Sequence, residues 1–273
     1  METASRHHGR HIESPARWKR HSNHRPDPQA TAIPRRQNPG SNRPQAETPV
    51  WKRAFDLGLI LIILPVILVI ALLVYCWIKV VSSGPVLFRQ TRIGRGGKSF
   101  TIYKFRSMKP MAESSPHEAH VEHLIKSNQP MVKLDLSGDP RVIPGCRLIR
   151  MSGLDELPQL FNVLRGEMSL VGPRPCTPNE YALYEKYQLR RFTLQPGLTG
   201  LWQVKRTHST TFREMVAMDD LYVDRLSLAL DFKIVLETPG VLAKQLSTCL
   251  HAPSDPVRPQ AFENGASGTQ RPG

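Results

Sequence analysis

Asp155 and Glu156 are adjacent carboxylates, with Arg150 upstream and Arg174 downstream. From Leu154 to Pro175 the chain reads LDELPQLFNVLRGEMSLVGPRP. A carboxylate in such a frame can serve as a nucleophile. It can also bind a divalent ion such as Mg2+ together with substrate phosphates. Arginines supply the positive charge that transferring phosphoryl oxygens require. Arg174 sits between Pro173 and Pro175, which limits its backbone freedom. The competing structural reading is a helix cap, because carboxylates at helix starts satisfy free backbone donors. Ser152 with Asp155 fits the capping-box spacing.

The elements that must hold these residues follow from spacing. Leu157, Leu160, Phe161 and Leu164 recur at helical intervals and predict a short helix with one apolar face. Pro158 places its start no earlier than about Leu154, so both carboxylates fall at the cap or in the first turn. A helix start keeps an aspartate ionised and its backbone donors can hold a phosphoryl group. Upstream, Val86–Gln90 and Phe100–Arg106 alternate as strands, and Gly94, Gly96 and Gly97 between them predict a hairpin. Lys104 and Arg106 alternate with aromatic residues there. They fit a phosphate-contacting strand and an amphipathic interfacial strand equally well. Downstream, Thr177 caps a helix that begins at Pro178 and runs to Phe192. Residues 195–204 read as a glycine-rich loop with a short apolar end, and Thr211–Lys244 as one long or broken helix.

Residues 55–78 are almost wholly apolar and long enough to cross a bilayer as a helix. Pro65 lies near the middle, where a proline predicts a bend. Lys52 and Arg53 precede the run; Lys79, Arg89, Arg92, Arg95 and Lys98 follow it. Basic residues at both ends favour a re-entrant hairpin, while a kinked span remains open on the residues alone. The chain of 273 residues carries a net charge of +14, so a polyanionic partner is expected. Anionic membrane lipid, phosphorylated substrates and nucleic acid all match that charge. Cys76, Cys146, Cys176 and Cys249 lie far apart, which reads as free thiols in a reducing compartment. His117, His120 and His123 recur every third residue, a pattern read as a solvated helix face rather than a metal site. Residues 1–50 are basic, polar and proline-rich and predict a disordered tail; 248–273 predict another.

Five segments together resemble the bacterial sugar transferase family, the monotopic polyprenyl-phosphate phosphoglycosyl transferases. They are KRAFDL, SGPVLFRQTRIGRGGKSFTIYKFRSM, LDELPQLFNVLRGEMSLVGPRP, QPGLTGLWQV and LDFKIVLET, in order between Lys52 and Lys244. The resemblance implies an α+β, mainly helical, monotopic membrane protein. Its re-entrant membrane helix (51–80) would break at Pro65, and a small cytoplasmic catalytic domain (81–247) would lie on the membrane surface. It implies transfer of a sugar-1-phosphate from a nucleotide diphosphate sugar, with UDP-hexose expected, to polyprenyl (undecaprenyl) phosphate. Asp155 would be the nucleophile, Glu156 its acidic partner, both near Mg2+, and Arg150 and Arg174 phosphate ligands. Location at the bacterial inner membrane with both termini cytoplasmic follows. Homo-oligomerisation stays open, and nucleic acid is not expected as a partner. Gly153 stands where the family often has serine, and Ser107 where threonine is usual. The competing class is a membrane-anchored nucleic-acid-binding or scaffold protein, suggested by the charge alone.

Overall fold

The computed structural model describes residues 48–109, 115–131, 141–207 and 209–251. The two expected tails therefore fall largely outside the described residues. The architecture is mainly helical with two small two-stranded sheets. A long helix α1 (Val50–Val81) leads into an antiparallel hairpin of β1 (Leu87–Ile93) and β2 (Ser99–Phe105). Then follow α2 (Ser115–Ser127), α3 (Cys146–Met151), a 3-10 turn (Leu154–Gln159) and α4 (Leu160–Leu164). Strand β3 (Ser169–Val171) pairs in parallel with β4 (Gly197–Thr199). Helix α5 (Pro178–Leu183) and a 3-10 stretch (Lys186–Thr193) lie between them. Helices α6 (Leu201–Lys205), α7 (Phe212–Asp224) and α8 (Leu228–His251) complete the fold.

The hairpin forms where the alternation places it, with Leu87 opposite Phe105 and Ile93 opposite Ser99. Thr177 caps α5, accepting from the Glu180 N–H at 3.1 Å. That helix ends after Leu183 instead of reaching Phe192, and a 3-10 stretch with its own Glu185–Gln188 capping box takes over. The Thr211–Lys244 segment is the broken alternative: Thr211 and Glu214 form a capping box for α7, and α8 starts afresh at Leu228. It runs on to His251, so residues 248–251 are helix rather than tail.

The short strands β3 and β4 lie in segments with no alternation to reveal them. What permits them is glycine. A Cβ on Gly197 would lie 2.1 Å from the Gly172 nitrogen, and one on Gly172 would lie 2.5 Å from the Gln195 carbonyl. No side chain fits where these two backbones cross.

Helix α1 is one continuous helix of 32 residues that passes through Pro65. The interruption expected there is absent, since one missing backbone donor does not end a helix flanked on both sides by apolar helix formers. Most of its middle is exposed, including Leu61, Ile62, Val66, Leu68, Val69, Leu72 and Leu73. Towards each end one side of it packs on the domain. Ile60 joins the central core with Ile102, Val163, Val171, Tyr222 and Ile234. Val74 and Ile78 join a second core with Phe105, Ile143, Cys146 and Ile149.

The basic residues before the apolar run are tied into the domain. Lys52 is fully buried and donates to Asp231 Oδ2 (2.5 Å), the Val171 carbonyl (2.8 Å) and Tyr222 Oη (2.9 Å). Tyr222 in turn donates to Asp231 Oδ1 at 2.7 Å. Arg53 caps the end of α4, donating to the carbonyls of Val163 and Leu164. Asp56 accepts from the Leu170 N–H at 3.0 Å, so the first two turns of α1 are riveted to the sheet.

Candidate active site

Asp155 and Glu156 occupy the first turn of the Leu154–Gln159 3-10 helix, with Pro158 inside it. The predicted position at a helix start holds, but the cap does not. Gly153, at φ 73°, is the N-cap and makes no side-chain cap bond. Ser152 instead donates back to the Leu148 and Ile149 carbonyls. The capping box is thus absent, and the aspartate is not consumed by it. A left-handed φ suits glycine, which accounts for Gly153 at this turn.

The predicted apolar face is also rearranged. Leu160 and Val163 are buried, whereas Phe161 and Leu164 are exposed. The Leu154–Gln159 turn before α4 is 3-10 and repeats every three residues, so the α-helical spacing counted from Leu157 does not carry through into α4. Asn162 fills the inward position. It donates to the Thr101 carbonyl (2.7 Å) and Glu167 (2.7 Å) and accepts from the Tyr103 N–H (3.3 Å), locking the turn onto β2.

That docking brings the strand cations to the carboxylates. Lys104 Nζ lies 2.6 Å from Glu156 Oε1 in a partly exposed ion pair. Arg106, 7% exposed, donates to the backbone and side-chain oxygens of Ser82, both at 3.1 Å. Its Nε and a second terminal nitrogen have no hydrogen-bond partner. Gly84, at φ 102°, makes room for it: a Cβ there would lie 2.6 Å from the guanidinium. Arg150 donates to Ser107 Oγ at 3.0 Å. Ser107 therefore retains the hydroxyl that a threonine would offer.

Asp155, 8% exposed, shares this neighbourhood. The Cys146 thiol is pushed up first by burial and then by Asp155, and pulled down by Arg106 and Arg150. One aspartate and two arginines thus act on the same buried point. The structure brings together Asp155, Glu156, Lys104, Arg106 and Arg150.

Arg174 arrives from the other side, on the turn after β3. Its carbonyl accepts from Arg191 at 2.8 Å, and Arg191 pairs with Asp219 at 2.7 Å, both 1% exposed. Burial pushes Asp219 up to about 6 against the pull of Arg191, so the pair stays ionised at neutral pH. Arg191 and Asp219 were not singled out in the sequence. Nothing there distinguishes Arg191 from its exposed neighbour Arg190, which pairs with Asp224 at the surface.

The cluster sets cations near two carboxylates at a helix start, a chemistry that suits a phosphate. The carboxylates are hard oxygen donors that fit Mg2+. Among the described residues no group of three or more metal-ligating side chains exists, so substrate phosphates and water would have to complete its shell. The described part of the histidine run, in α2, joins no such group. The competing nucleic-acid reading loses ground, because Lys52, Arg53, Arg191 and Lys104 are tied to carboxylates and carbonyls of the chain itself.

The Bacterial sugar transferase family pattern matches residues 47–245. The galactosyl transferase CpsE of Streptococcus agalactiae is 42% identical over 162 residues, 59% of this chain and 35% of that protein. The undecaprenyl-phosphate galactose phosphotransferase of Salmonella typhimurium is 37% identical over 201 residues, 71% of this chain and 40% of its own length. The UDP-glucose:undecaprenyl-phosphate glucose-1-phosphate transferase of Caulobacter vibrioides is 38% identical over 213 residues, 75% of this chain and 74% of its own. The chain thus spans well under half the length of the first two relatives and most of the third. With its central motif, hairpin and most of its closing helices inside the matched span, the chain belongs to the bacterial sugar transferase family.

Proposed function

We propose that the chain transfers a sugar-1-phosphate from a nucleotide diphosphate sugar, a UDP-hexose, to undecaprenyl phosphate, as the first membrane step of exopolysaccharide or related glycan synthesis. The observation that carries this is the Asp155–Glu156 pair at the start of a 3-10 helix packed against β2, with Lys104 Nζ 2.6 Å from Glu156. Family membership and the names of the galactose and glucose relatives support the donor and acceptor classes.

In the first half-reaction an Asp155 carboxylate oxygen attacks the phosphorus bonded to the sugar. The phosphoanhydride P–O bond breaks, and its electron pair leaves with the nucleoside monophosphate. In the second, a phosphate oxygen of undecaprenyl phosphate attacks the phosphosugar–aspartate and expels the carboxylate. No redox partner is needed. Arg106, Arg150 and Lys104 offset the charge on the phosphoryl oxygens. Asp155 and Glu156 would hold Mg2+, which when bound neutralises phosphate charge.

The membrane element is read as a re-entrant helix lying in the cytoplasmic leaflet of the bacterial inner membrane, with the catalytic domain and termini cytoplasmic. Support comes from its ends. Lys52 and Ile78 pack into the same domain, yet a straight helix would separate them by about 39 Å, more than a hydrocarbon core of roughly 30 Å. A span would put one end out of the domain's reach.

Two experiments test this. Full-length protein in membranes, given UDP-glucose or UDP-galactose, Mg2+ and no acceptor, should release about one equivalent of UMP and gain the mass of a hexose phosphate. Release of UDP instead would identify a sugar transfer without phosphate and overturn the reading. For topology, cysteines placed at the exposed Val50 and Val80 in a cysteine-free background should both label from the cytoplasmic side. Labelling from opposite sides would rule out the hairpin.

A further inference from the structure

The turn after β3 contains Pro173 and Pro175, two residues with no backbone N–H to give. It is held through its carbonyls instead, and a separate donor takes each of them in order. The Gly197 N–H of β4 bonds to the Pro173 carbonyl at 2.8 Å, and Arg191 to that of Arg174 at 2.8 Å. Arg92 of β1 reaches the Pro175 carbonyl at 3.4 Å, and the Ile93 N–H bonds to that of Cys176 at 2.8 Å. Two of these donors are main-chain amides that nearly any residue would supply. The Arg92 bond is long. Arg191 thus makes the one short contact that depends on the identity of a side chain.

From Val171 to Thr177 every residue is buried except Arg174, which is half-buried. Standing before Pro175, it is also confined to extended backbone. Among the described residues its guanidinium has no hydrogen-bond or ion-pair partner. The turn therefore fixes the backbone of Arg174 and leaves its charged end open to a ligand. Arg191 has little freedom of its own. It is 1% exposed, lies 2.7 Å from Asp219 of α7 and donates to Tyr184 Oη. Its guanidinium also stacks near the Tyr184 and Phe192 rings, at 5.3 and 5.6 Å. Replacing a buried ion pair by apolar residues of like volume is often neutral for stability. What apolar residues cannot supply is a directed donor on the Arg174 carbonyl.

We propose that Arg191, braced by Asp219, is a positioning residue for the reaction. It sets the carbonyl of Arg174, and so the place from which the Arg174 guanidinium meets a substrate phosphate. This rests on the transferase reading above. Arg191 touches no substrate itself. Its effect comes through geometry: a displacement of about 1 Å in a binding group can cost on the order of 100-fold in rate. The planar fork of a guanidinium makes that dependence steep. The adjacent Arg190 is a control supplied by the chain, because it pairs with Asp224 at the surface and bonds to no part of the turn.

The test uses full-length detergent-solubilised protein, radiolabelled UDP-glucose or UDP-galactose and undecaprenyl phosphate. Arg191→Lys keeps a charge opposite Asp219 but lacks the fork that serves Asp219, Tyr184 and the carbonyl together. Its transfer should fall about 10 to 100-fold, while that of Arg190→Lys stays within about twofold of wild type. The deciding readout is a double-mutant cycle with Arg174→Ala. Once the Arg174 guanidinium is gone its placement no longer matters, so Arg191→Lys should change the remaining transfer by less than about threefold. Thermal unfolding should show no such coupling, because the carbonyl stays: Arg191→Lys should lower the midpoint equally in both backgrounds. If Arg191→Lys does not accumulate, Arg191→Gln with Asp219→Asn, which leaves no orphan charge, enters the same cycle. An equal fold-loss of transfer in both backgrounds, or wild-type transfer by Arg191→Lys, overturns the positioning role and leaves the transferase reading standing. So does full transfer by Arg174→Ala. Wild-type protein that transfers from neither donor overturns the transferase reading itself.

Discussion

Lys52 and Lys104 each end on a carboxylate, at 2.5 Å and 2.6 Å, yet the two pairs do different work. Lys52 and Asp231 are both fully buried, and the tyrosine and carbonyl between them satisfy every remaining bond. Lys104 and Glu156 are partly open to solvent. A closed network fixes geometry and resists exchange. An open one can trade its partner for a ligand, which a phosphate or a metal ion would exploit. Identical chemistry thus serves as a rivet at one end of α1 and as a site at the start of the 3-10 turn. Burial and satisfaction separate the roles; distance does not.

The sharpest break in that comparison leaves the fold alone. Asp155→Asn keeps the volume and the turn but removes the nucleophile. Transfer, measured with radiolabelled UDP-sugar and undecaprenyl phosphate, should fall on the order of 10⁴-fold, with thermal unfolding unchanged. Retained transfer would remove Asp155 from the mechanism. Next comes Lys52→Met, which strands a buried Asp231 without its counter-charge. Losing one partner of a buried pair costs about 3–5 kcal/mol, so the detergent-solubilised protein should unfold about 10 °C lower or fail to accumulate. Pairing it with Asp231→Leu should restore part of that loss, because an apolar pair leaves no orphan charge.

The same contrast explains what could be read from residues alone. The carboxylate pair, the hairpin, the apolar run and the Thr177 cap each depend on neighbours in sequence, and local spacing reveals them. Lys52 and Arg53 were visible only as positive flanks, because their partners Asp231, Val163 and Leu164 lie over a hundred residues downstream. Arg191 and Asp219 were hidden for the same reason. Strands β3 and β4 are three residues each, too short for alternation, and exist because Gly172 and Gly197 let two backbones touch. The capping box failed because Gly153 took the cap position in a left-handed conformation that the spacing of Ser152 and Asp155 does not encode.

Smaller effects probe the open pair and its supports. Lys104→Met removes a partly exposed ion pair, which is worth about 0–1 kcal/mol, so stability should hardly change. Its loss from a phosphate site should cut transfer by about 10 to 100-fold, mostly in the rate with saturating donor if Lys104 acts on the transferring phosphoryl group. An unfolding shift as large as that of Lys52→Met would erase the distinction drawn between the two lysines.

Ser107 gives the finest test. Its hydroxyl accepts from Arg150 at 3.0 Å, a bond that fixes the guanidinium without itself touching any carboxylate. Ser107→Thr keeps the oxygen and adds a methyl in a buried position, so transfer should stay within about threefold of wild type if the site tolerates the extra volume. Ser107→Ala removes the acceptor and leaves Arg150 free to swing. A hydrogen bond to a charged group is worth about 1.5–3 kcal/mol, and only the part that orients Arg150 in the transition state reaches the rate. Transfer should therefore drop by about tenfold, with the donor KM changing less than the turnover rate. Equal activity in the Ala and Thr variants would show that Arg150 finds its place without Ser107, and that its order comes from the phosphate it binds.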